Sequence, residues 1–484
     1  MKRLEFPTAD KDARPGLWAS FVASYARLSD DEAAALRAFG ALWAPTGTPY
    51  VIGRVAMLKN EDLAEEVLRR LARRSLMKRE KTDDGVTRYR AHDLTRDFAL
   101  ALLRERAELP DAQERALNAC VAYAQRYAER DRAAYDRLDA ELDNLLSSAQ
   151  WAKDHQKWEA VNHLALDLWG IMDIRGREVS NLLLSGLEAA RVLGNRFDEA
   201  THLNNLGLAY FNVGLIDSAI DRHQDAFRVA QSDGGSAPAI RGRSLGNLGR
   251  DYAALGNYEL AIDYYNKALD AAIDIADILS ECNWYGHLGL AHAALGDFEE
   301  AVEYYELALS TVEKGSEYAH QRLKGTWLVA LGEAYDRLGK FNEADICYES
   351  ALPIVRFQIG DLRATGKCLG NMGLHYELQG DLNRAEGYYN RALDIHRGIG
   401  EKHAVALWLH NLGDVMKART DRTVGTEAAA LLRQAVAYYE EALAIRREIK
   451  DPRAEDTAAA LEAARGPAGG SGGAGVRVAS GRAA

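Results

Sequence analysis

A chain of 484 residues with 72 acidic and 60 basic side chains carries a formal net charge of −12, which argues against broad nucleic-acid binding. Its length allows two or three domains. Four cysteines, Cys120, Cys282, Cys347 and Cys368, stand far apart without a C-x-x-C pair, so they read as reduced core thiols and argue against structural zinc or a disulfide framework. Met1 to Asp10 mixes charge and proline without an apolar core, and no stretch of about 18 apolar residues occurs, so neither a leader nor a membrane span is expected and the cytoplasm is the expected compartment.

After an N-terminal extension over 1–16, residues 17–107 read as three helices and a hairpin. Ser29-Asp30-Asp31-Glu32 has the form of a capping box opening a helix through Phe39, and Glu61 to Arg73 is a second amphipathic helix. Leu76 to Glu80 pairs with Val86 to Arg90 across Asp83-Asp84-Gly85, because an Asp-Gly step favours the tight turn of a hairpin. The second strand leads through Ala91-His92-Asp93-Leu94 into a helix from Thr95 to Arg104. Helices closed by a β-ribbon predict a winged-helix domain. Its basic run, Arg69, Arg70, Arg73, Arg74, Lys78, Arg79 and Lys81, suits phosphate neutralisation, so a DNA-binding regulator is the alternative reading. Against it, these side chains spread around the helix, and Glu80, Asp83 and Asp84 follow in the wing.

A helical linker is expected over 108–157, containing Leu138-Asp139-Ala140-Glu141-Leu142-Asp143-Asn144-Leu145-Leu146. From 158 to 450 the sequence repeats. Gly207, Gly249, Gly289, Gly332, Gly373 and Gly413 recur about every 40 residues, a period that signals a helical repeat. Seven residues after each of the first five stands a second glycine, Gly214, Gly256, Gly296, Gly339 and Gly380, placed to end a helix in the left-handed conformation. Ala219, Ala261, Ala301, Ala344 and Ala385 follow, with Tyr265, Tyr305, Tyr348 and Tyr389 one helical turn beyond and His223 in the first copy. A glycine inside a helix costs roughly 1 kcal/mol relative to Ala, so the ladder glycine implies a partner helix in close approach, with the first alanine as the expected contact. In the last copy an insertion around Arg419 to Glu427 is expected to protrude as a loop before Ala435, Tyr439 and Ala442 resume the pattern.

With Ala226, Ala268, Ala308, Ala351 and Ala392 closing each copy, this order of small, small, aromatic and small residues resembles the tetratricopeptide repeat in a form of about 40 residues rather than 34. The resemblance implies a right-handed superhelix of about six or seven repeats, begun by a degenerate pair over Trp158 to Ala200 and capped by Ala435 to Ile449, its first helices lining the concave face. Counting along that framework, Asn205, Asn247, His287, Ala330, Asn371 and Asn411 point inward, two residues before each ladder glycine. Asparagine is a mediocre helix former, so its recurrence needs a cause. It either bonds the backbone of a bound peptide, since an amide donates and accepts at once, or links neighbouring helices. Arg243, Arg250, Arg337 and Lys367 are placed to attract a carboxylate or acidic peptide, and Phe211 offers an apolar contact.

The stretches Ala23 to Ser29, Leu68 to Leu76 and Tyr89 to Ala99, together with the 138–152 linker, resemble the winged-helix and linker parts of NB-ARC-type signal-transduction ATPases, the STAND class of bacterial regulators. In that family a Met-His-Asp motif meets the nucleotide. Here Ala91 replaces the methionine while His92 and Asp93 remain. The resemblance implies a sensor and relay whose repeats bind a protein or peptide and whose His92 contacts ADP held by an ATPase domain in cis or trans; without that domain, no cofactor is expected and His92 only joins strand to helix. No P-loop precedes the winged helix in this sequence. Gly360 to Cys368 has one residue too many between its glycines and Cys368 where Ser/Thr is needed, and it enters a helix from a helix. The tail, 451–484, is expected to be disordered from about 466, so its Gly469 to Gly475 matches to G-x-S-x-G and G-x-G-x-x-G carry no chemistry. The histidines form no metal-ligand spacing and the acid pairs Glu299-Glu300 and Glu440-Glu441 sit on solvated faces, so no enzyme is expected.

Overall fold

The computed structural model describes residues 15–82, 85–128, 132–174, 179–232, 238–312, 318–359 and 361–465. Asp83-Asp84 of the predicted turn, Gly360, most of the 1–16 extension and the 466–484 tail with its motif matches lie outside them. The described chain is mostly helical with one small sheet, and it divides into two compact units, Met1–Ala271 and Ala272–Ala484.

The first unit opens with the helix Pro15–Tyr25, followed by Asp30–Ala41. The capping box is made: the Glu32 amide donates to Ser29 Oγ at 3.3 Å and the Ser29 amide to the Glu32 carboxylate at 3.0 Å. The hairpin forms from β2 (Met77–Lys81) and β3 (Thr87–Ala91), with Met77 opposite Ala91 and Arg79 opposite Tyr89. Two further elements join it. β1 (Thr46–Gly47) pairs antiparallel with the other side of β3, giving the order β1-β3-β2, and the helix Pro49–Val55 follows directly. That helix was written in Thr48-Pro49, where Thr48 caps the Val51 amide and proline takes the first turn, but its seven residues are too few to show periodicity. The helices Glu61–Arg73 and Asp93–Glu105 close the module. The linker helices Leu109–Arg126 and Arg132–Asp154 add Leu117, Cys120, Tyr123, Leu138, Leu142 and Leu145 to the same buried core.

The pair Trp158–Ile174 and Ser180–Leu193 precedes the regular repeats, which share one plan of a first helix, a glycine turn and a second helix. In the first unit these are Arg196–Asn212 with Ile216–Ser232, then Pro238–Ala254 with Tyr258–Asp274, whose last turn passes the boundary at Ala271. The second unit holds Ile278–Leu295 with Phe298–Val312, Tyr318–Arg337 with Phe341–Pro353, Leu362–Leu378 with Leu382–Gly398, and Lys402–Thr420 with Thr426–Glu448. Gly256 and Gly296, at φ +77° and +93°, end their helices as their position required.

The ladder glycine has a different neighbour from the one expected. A Cβ on Gly249 would lie 2.7 Å from the Tyr265 ring, on Gly289 2.6 Å from Tyr305, on Gly373 2.6 Å from Tyr389 and on Gly413 2.5 Å from Tyr439. The aromatic of the second helix fills the notch, because a planar ring projects further than a methyl group; the expected first alanine meets it through its backbone in the Gly249 copy, where the Ala261 carbonyl lies 3.2 Å from that Cβ. The alanines are fully buried and let the two helices close around it. A related notch was not foreseen: Gly286 and Gly370, three residues before ladder glycines, receive Trp327 and Trp408 from the following repeat.

The insertion in the last copy does not protrude as a long loop. Alanine and leucine from Ala428 to Leu432 are strong helix formers and lengthen the second helix to Thr426–Glu448, leaving a short turn with Val424 exposed. Nor does Ala435 to Ile449 end the stack. One more helix, Ala454–Arg465, buries Thr457, Leu461 and Ala464 within what was read as tail.

Two measurements follow from this packing. Gly373→Ala should destabilise the chain by about 1–2 kcal/mol in denaturant unfolding, whereas Gly387→Ala in the same repeat, where an added Cβ meets nothing within 4 Å, should stabilise it by about 0.5–1 kcal/mol. His202 packs into the notch of Gly186, and burial lowers its pKa to about 4 while Nε2 meets Asn162 Oδ1 at 2.8 Å. The folded state therefore disfavours the imidazolium: stability is full above the unfolded value of 6.5 and falls as pH drops from there towards 4. Thermal unfolding across that window should show the loss, and His202→Gln should flatten it.

Candidate functional site

The first helices of successive repeats present one recurring face, and it can be followed within each unit. In the first, Asn205 and Asn247 are buried. Asn247 Nδ2 donates to Asn204 Oδ1 at 3.4 Å, and Asn204 Nδ2 donates to Ser244 Oγ at 2.9 Å, so adjacent first helices are joined by an amide and hydroxyl chain. Asn204 and Ser244 were missed because neither stands at the repeated position. Arg250 and Phe211 come together, the guanidinium carbon 4.9 Å from the ring centroid, a cation–π contact between neighbouring repeats. Arg243 is exposed on the same helix as Arg250.

In the second unit, His287 does not stand open on the face. Its ring lies 5.9 Å from Trp284 and 5.6 Å from Trp327, among the tryptophans that fill the second notch. Asn371 Nδ2 donates to Glu333 Oε2 at 3.4 Å, again linking neighbouring first helices. Burial raises the Glu333 pKa, while the positive charges of Lys367 and Arg337 oppose the shift. Both cations thus lie near enough to a carboxylate of the chain to act on its charge, and Arg337 also stacks 4.8 Å over Phe298. Asn411 is 5% exposed, and its Oδ1 has no hydrogen-bond partner among the described residues. A buried orphan acceptor of this kind costs about 1–3 kcal/mol.

The tyrosines of the notch reach this helix with their hydroxyls. Tyr348 donates to Asp336 at 2.9 Å, Tyr389 to Glu377 at 2.7 Å and Tyr439 to Asp414 at 2.6 Å. Asp336 also meets His375 Nδ1 at 2.5 Å. The first helices of the second unit therefore carry acids as well as the predicted cations: Asp336 and Glu377 four residues, and Glu333 and Asp414 one residue, after their ladder glycines, positions that the earlier glycines do not fill with acids.

In the N-terminal module, His92 is exposed at the N-cap of Asp93–Glu105, where its ring makes no capping bond. Nearby Arg96 is committed to the carbonyls of Leu42 and Trp43, both at 2.8 Å. The basic run is laced with acid: Arg69 meets Glu65 at 2.9 Å, Arg79 the same carboxylate at 3.3 Å, Arg74 meets Glu32 at 3.4 Å and Lys78 meets Glu80 at 3.4 Å. Among the described residues no cluster of His, Cys, Asp and Glu is placed to hold a metal, and no helix is long and apolar enough to cross a membrane.

Comparison with known proteins matches residues 198–274, 280–356 and 365–423 to the tetratricopeptide repeat family model. A heat shock protein sti1 homolog of Schizosaccharomyces pombe is 31% identical over 83 residues, 17% of this chain, and that match spans only 14% of its own length. Among solved structures, a signal transduction ATPase with numerous domains and a tetratricopeptide repeat sensor from Pyrococcus horikoshii aligns over 91% of this chain and 67% of its own, at 16% identity and a TM-score of 0.49. The apo form of the quorum sensor NprR from B. thuringiensis aligns over 71% of this chain and 97% of its own, at 17% identity and a TM-score of 0.44. Matched repeats, glycine turns and ring-filled notches together define a mostly helical tetratricopeptide-repeat scaffold with a small N-terminal sheet.

Proposed function

We propose that the chain is a non-enzymatic sensor and relay in which the first-helix face of the repeats binds an extended protein or peptide segment. The observation that carries this reading is the recurrence of a buried amide at one repeat position, Asn205 and Asn247 in the first unit and Asn371 and Asn411 in the second, where Asn411 Oδ1 has no partner among the described residues. Inter-helix bonds at 3.4 Å from Asn247 and Asn371 are long for N–H···O contacts and leave these amides open to exchange for better ones with a ligand backbone. Arg243 and Arg250 make the first unit the place for a ligand carboxylate, with Phe211 beside Arg250. In the second unit Glu333, Glu377 and Asp414 suit a segment of mixed or basic charge.

The N-terminal module is the relay in this reading. Its order of helix, strand, helix, helix, strand and strand, from Asp30–Ala41 to β3, supports a winged helix. Exposed His92 is available to a nucleotide carried by a separate NB-ARC ATPase domain. Any nucleotide chemistry would come from that domain, whose P-loop is not in this sequence. The DNA-binding alternative gains no support from a basic run interleaved with Glu32, Glu65 and Glu80.

A peptide selected on immobilised full chain and titrated by calorimetry tests the groove. Replacing Asn247, Asn371 and Asn411 together by alanine should weaken binding roughly 10- to 1000-fold, at about 0.5–1.5 kcal/mol per hydrogen bond, while circular dichroism stays unchanged. Equal affinity of the folded triple variant would reject the assignment.

A further inference from the structure

The small sheet has an open side that the linker helix closes. β3 takes one edge of β1, since the Ala91 amide donates to the Pro45 carbonyl at 2.9 Å and Gly47 stands opposite Tyr89. Backbone groups alternate in direction along a strand, so Ala44, Thr46 and Thr48 turn theirs away from β3, towards where a fourth strand would lie. Among the described residues no fourth strand lies there. The helix Arg132–Asp154 supplies side chains instead: Asn144 Oδ1 accepts the Ala44 amide at 2.8 Å and Asn144 Nδ2 donates to the Thr46 carbonyl at 2.7 Å. Glu141, one turn earlier, accepts the Thr48 amide with one oxygen and Asn144 Nδ2, at 2.7 Å, with the other. One primary amide and one carboxylate thus pair three groups of the edge, two amides and a carbonyl between them, that a neighbouring strand would otherwise pair.

The cost of this arrangement shows that it is not incidental packing. Glu141 and Asn144 are both completely buried. Burial raises the Glu141 carboxyl pKa even though it accepts two hydrogen bonds and faces Arg88 of β3; Cys120 and Tyr123 of Leu109–Arg126 also feel its charge. Two leucines would fill similar space without desolvating a carboxylate, but they would leave three backbone groups of the edge unpaired. The two residues lie 93 to 100 positions from the edge groups they meet, so the contact joins the start of the module to the helix that leads into the repeats.

We propose that Glu141 and Asn144 form a clasp standing in for a missing edge strand, which couples the N-terminal module to the linker helix so that the two open as one cooperative body. The clasp is independent of what the repeats bind. The other linker helix holds the module at separate points, Arg115 Nε donating to the Val55 carbonyl and Arg126 pairing with Glu61, both at 3.0 Å; the clasp adds the three directional bonds that fix the register of Arg132–Asp154 against the sheet.

Hydrogen–deuterium exchange on the full chain tests this, comparing wild type with Asn144→Leu and with Asp143→Ala, an exposed change on the same helix. Asn144→Leu should speed exchange of the Ala44 and Thr48 amides at least tenfold and make residues 30–105 unfold in a separate, earlier transition than the repeats, while Asp143→Ala changes neither. Unchanged protection at 44–48, or an equal loss across 15–271, would overturn the clasp and leave ordinary core packing. Should Asn144→Leu fail to fold, Glu141→Gln serves: its carbonyl still receives Thr48 while its amide nitrogen opposes Asn144 Nδ2. Faster exchange confined to the Ala44 side would then support the clasp, and unaltered exchange would refute it.

Discussion

The rest of the repeat architecture depends on one contact, an aromatic ring from a second helix seated where its first helix has no side chain. Gly249 with Tyr265, Gly289 with Tyr305, Gly332 with Tyr348 and Gly373 with Tyr389 keep it at the same sequence spacing, and Gly413 with Tyr439 keeps it across the insertion. Each glycine gives up roughly 1 kcal/mol of helix propensity. Each buried ring more than offsets that loss, because the ring is among the largest apolar surfaces in its repeat and is completely or almost completely buried. Gly207 preserves the arrangement with His223, whose Nδ1 meets Asp251 of the next repeat at 2.6 Å, so the same notch there holds a polar link between repeats.

That contact also shapes the chemistry of the first-helix face. A phenylalanine would fill the notch equally well, yet tyrosine carries a hydroxyl that must find a partner once buried. Tyr348, Tyr389 and Tyr439 find theirs in Asp336, Glu377 and Asp414 on the first helix of their own repeats. In these three repeats one residue type both fills the notch and bonds an acid of the first helix. The same economy is visible in the N-terminal module, where Asn144 and Glu141 both fill space and complete the sheet edge.

Periodic features were legible in the sequence because each was restated in every repeat: the helix pairs, the glycine turns and the buried alanines all stand where the ladder put them. The Ser29 capping box and the hairpin were legible because their signals are local. β1 was not, since a two-residue strand has no period, and its partner on the outer side comes from residues near 141–144. The role of His287 was hidden for a related reason: its surroundings are Trp284 and Trp327, and only folding brings the latter against Gly286. Inter-helix bonds from Asn247 and Asn371 depend likewise on Asn204 and Glu333, which occupy different positions in their repeats.

A double-mutant cycle on Gly249 and Tyr265, read by equilibrium denaturation, tests the central contact most directly. If the glycine exists to admit the ring, Gly249→Ala should be costly in wild type but neutral or stabilising by up to about 1 kcal/mol in a Tyr265→Ala background, a coupling of roughly 1–3 kcal/mol. An identical cost of Gly249→Ala in both backgrounds would contradict the account and require another reason for the ladder.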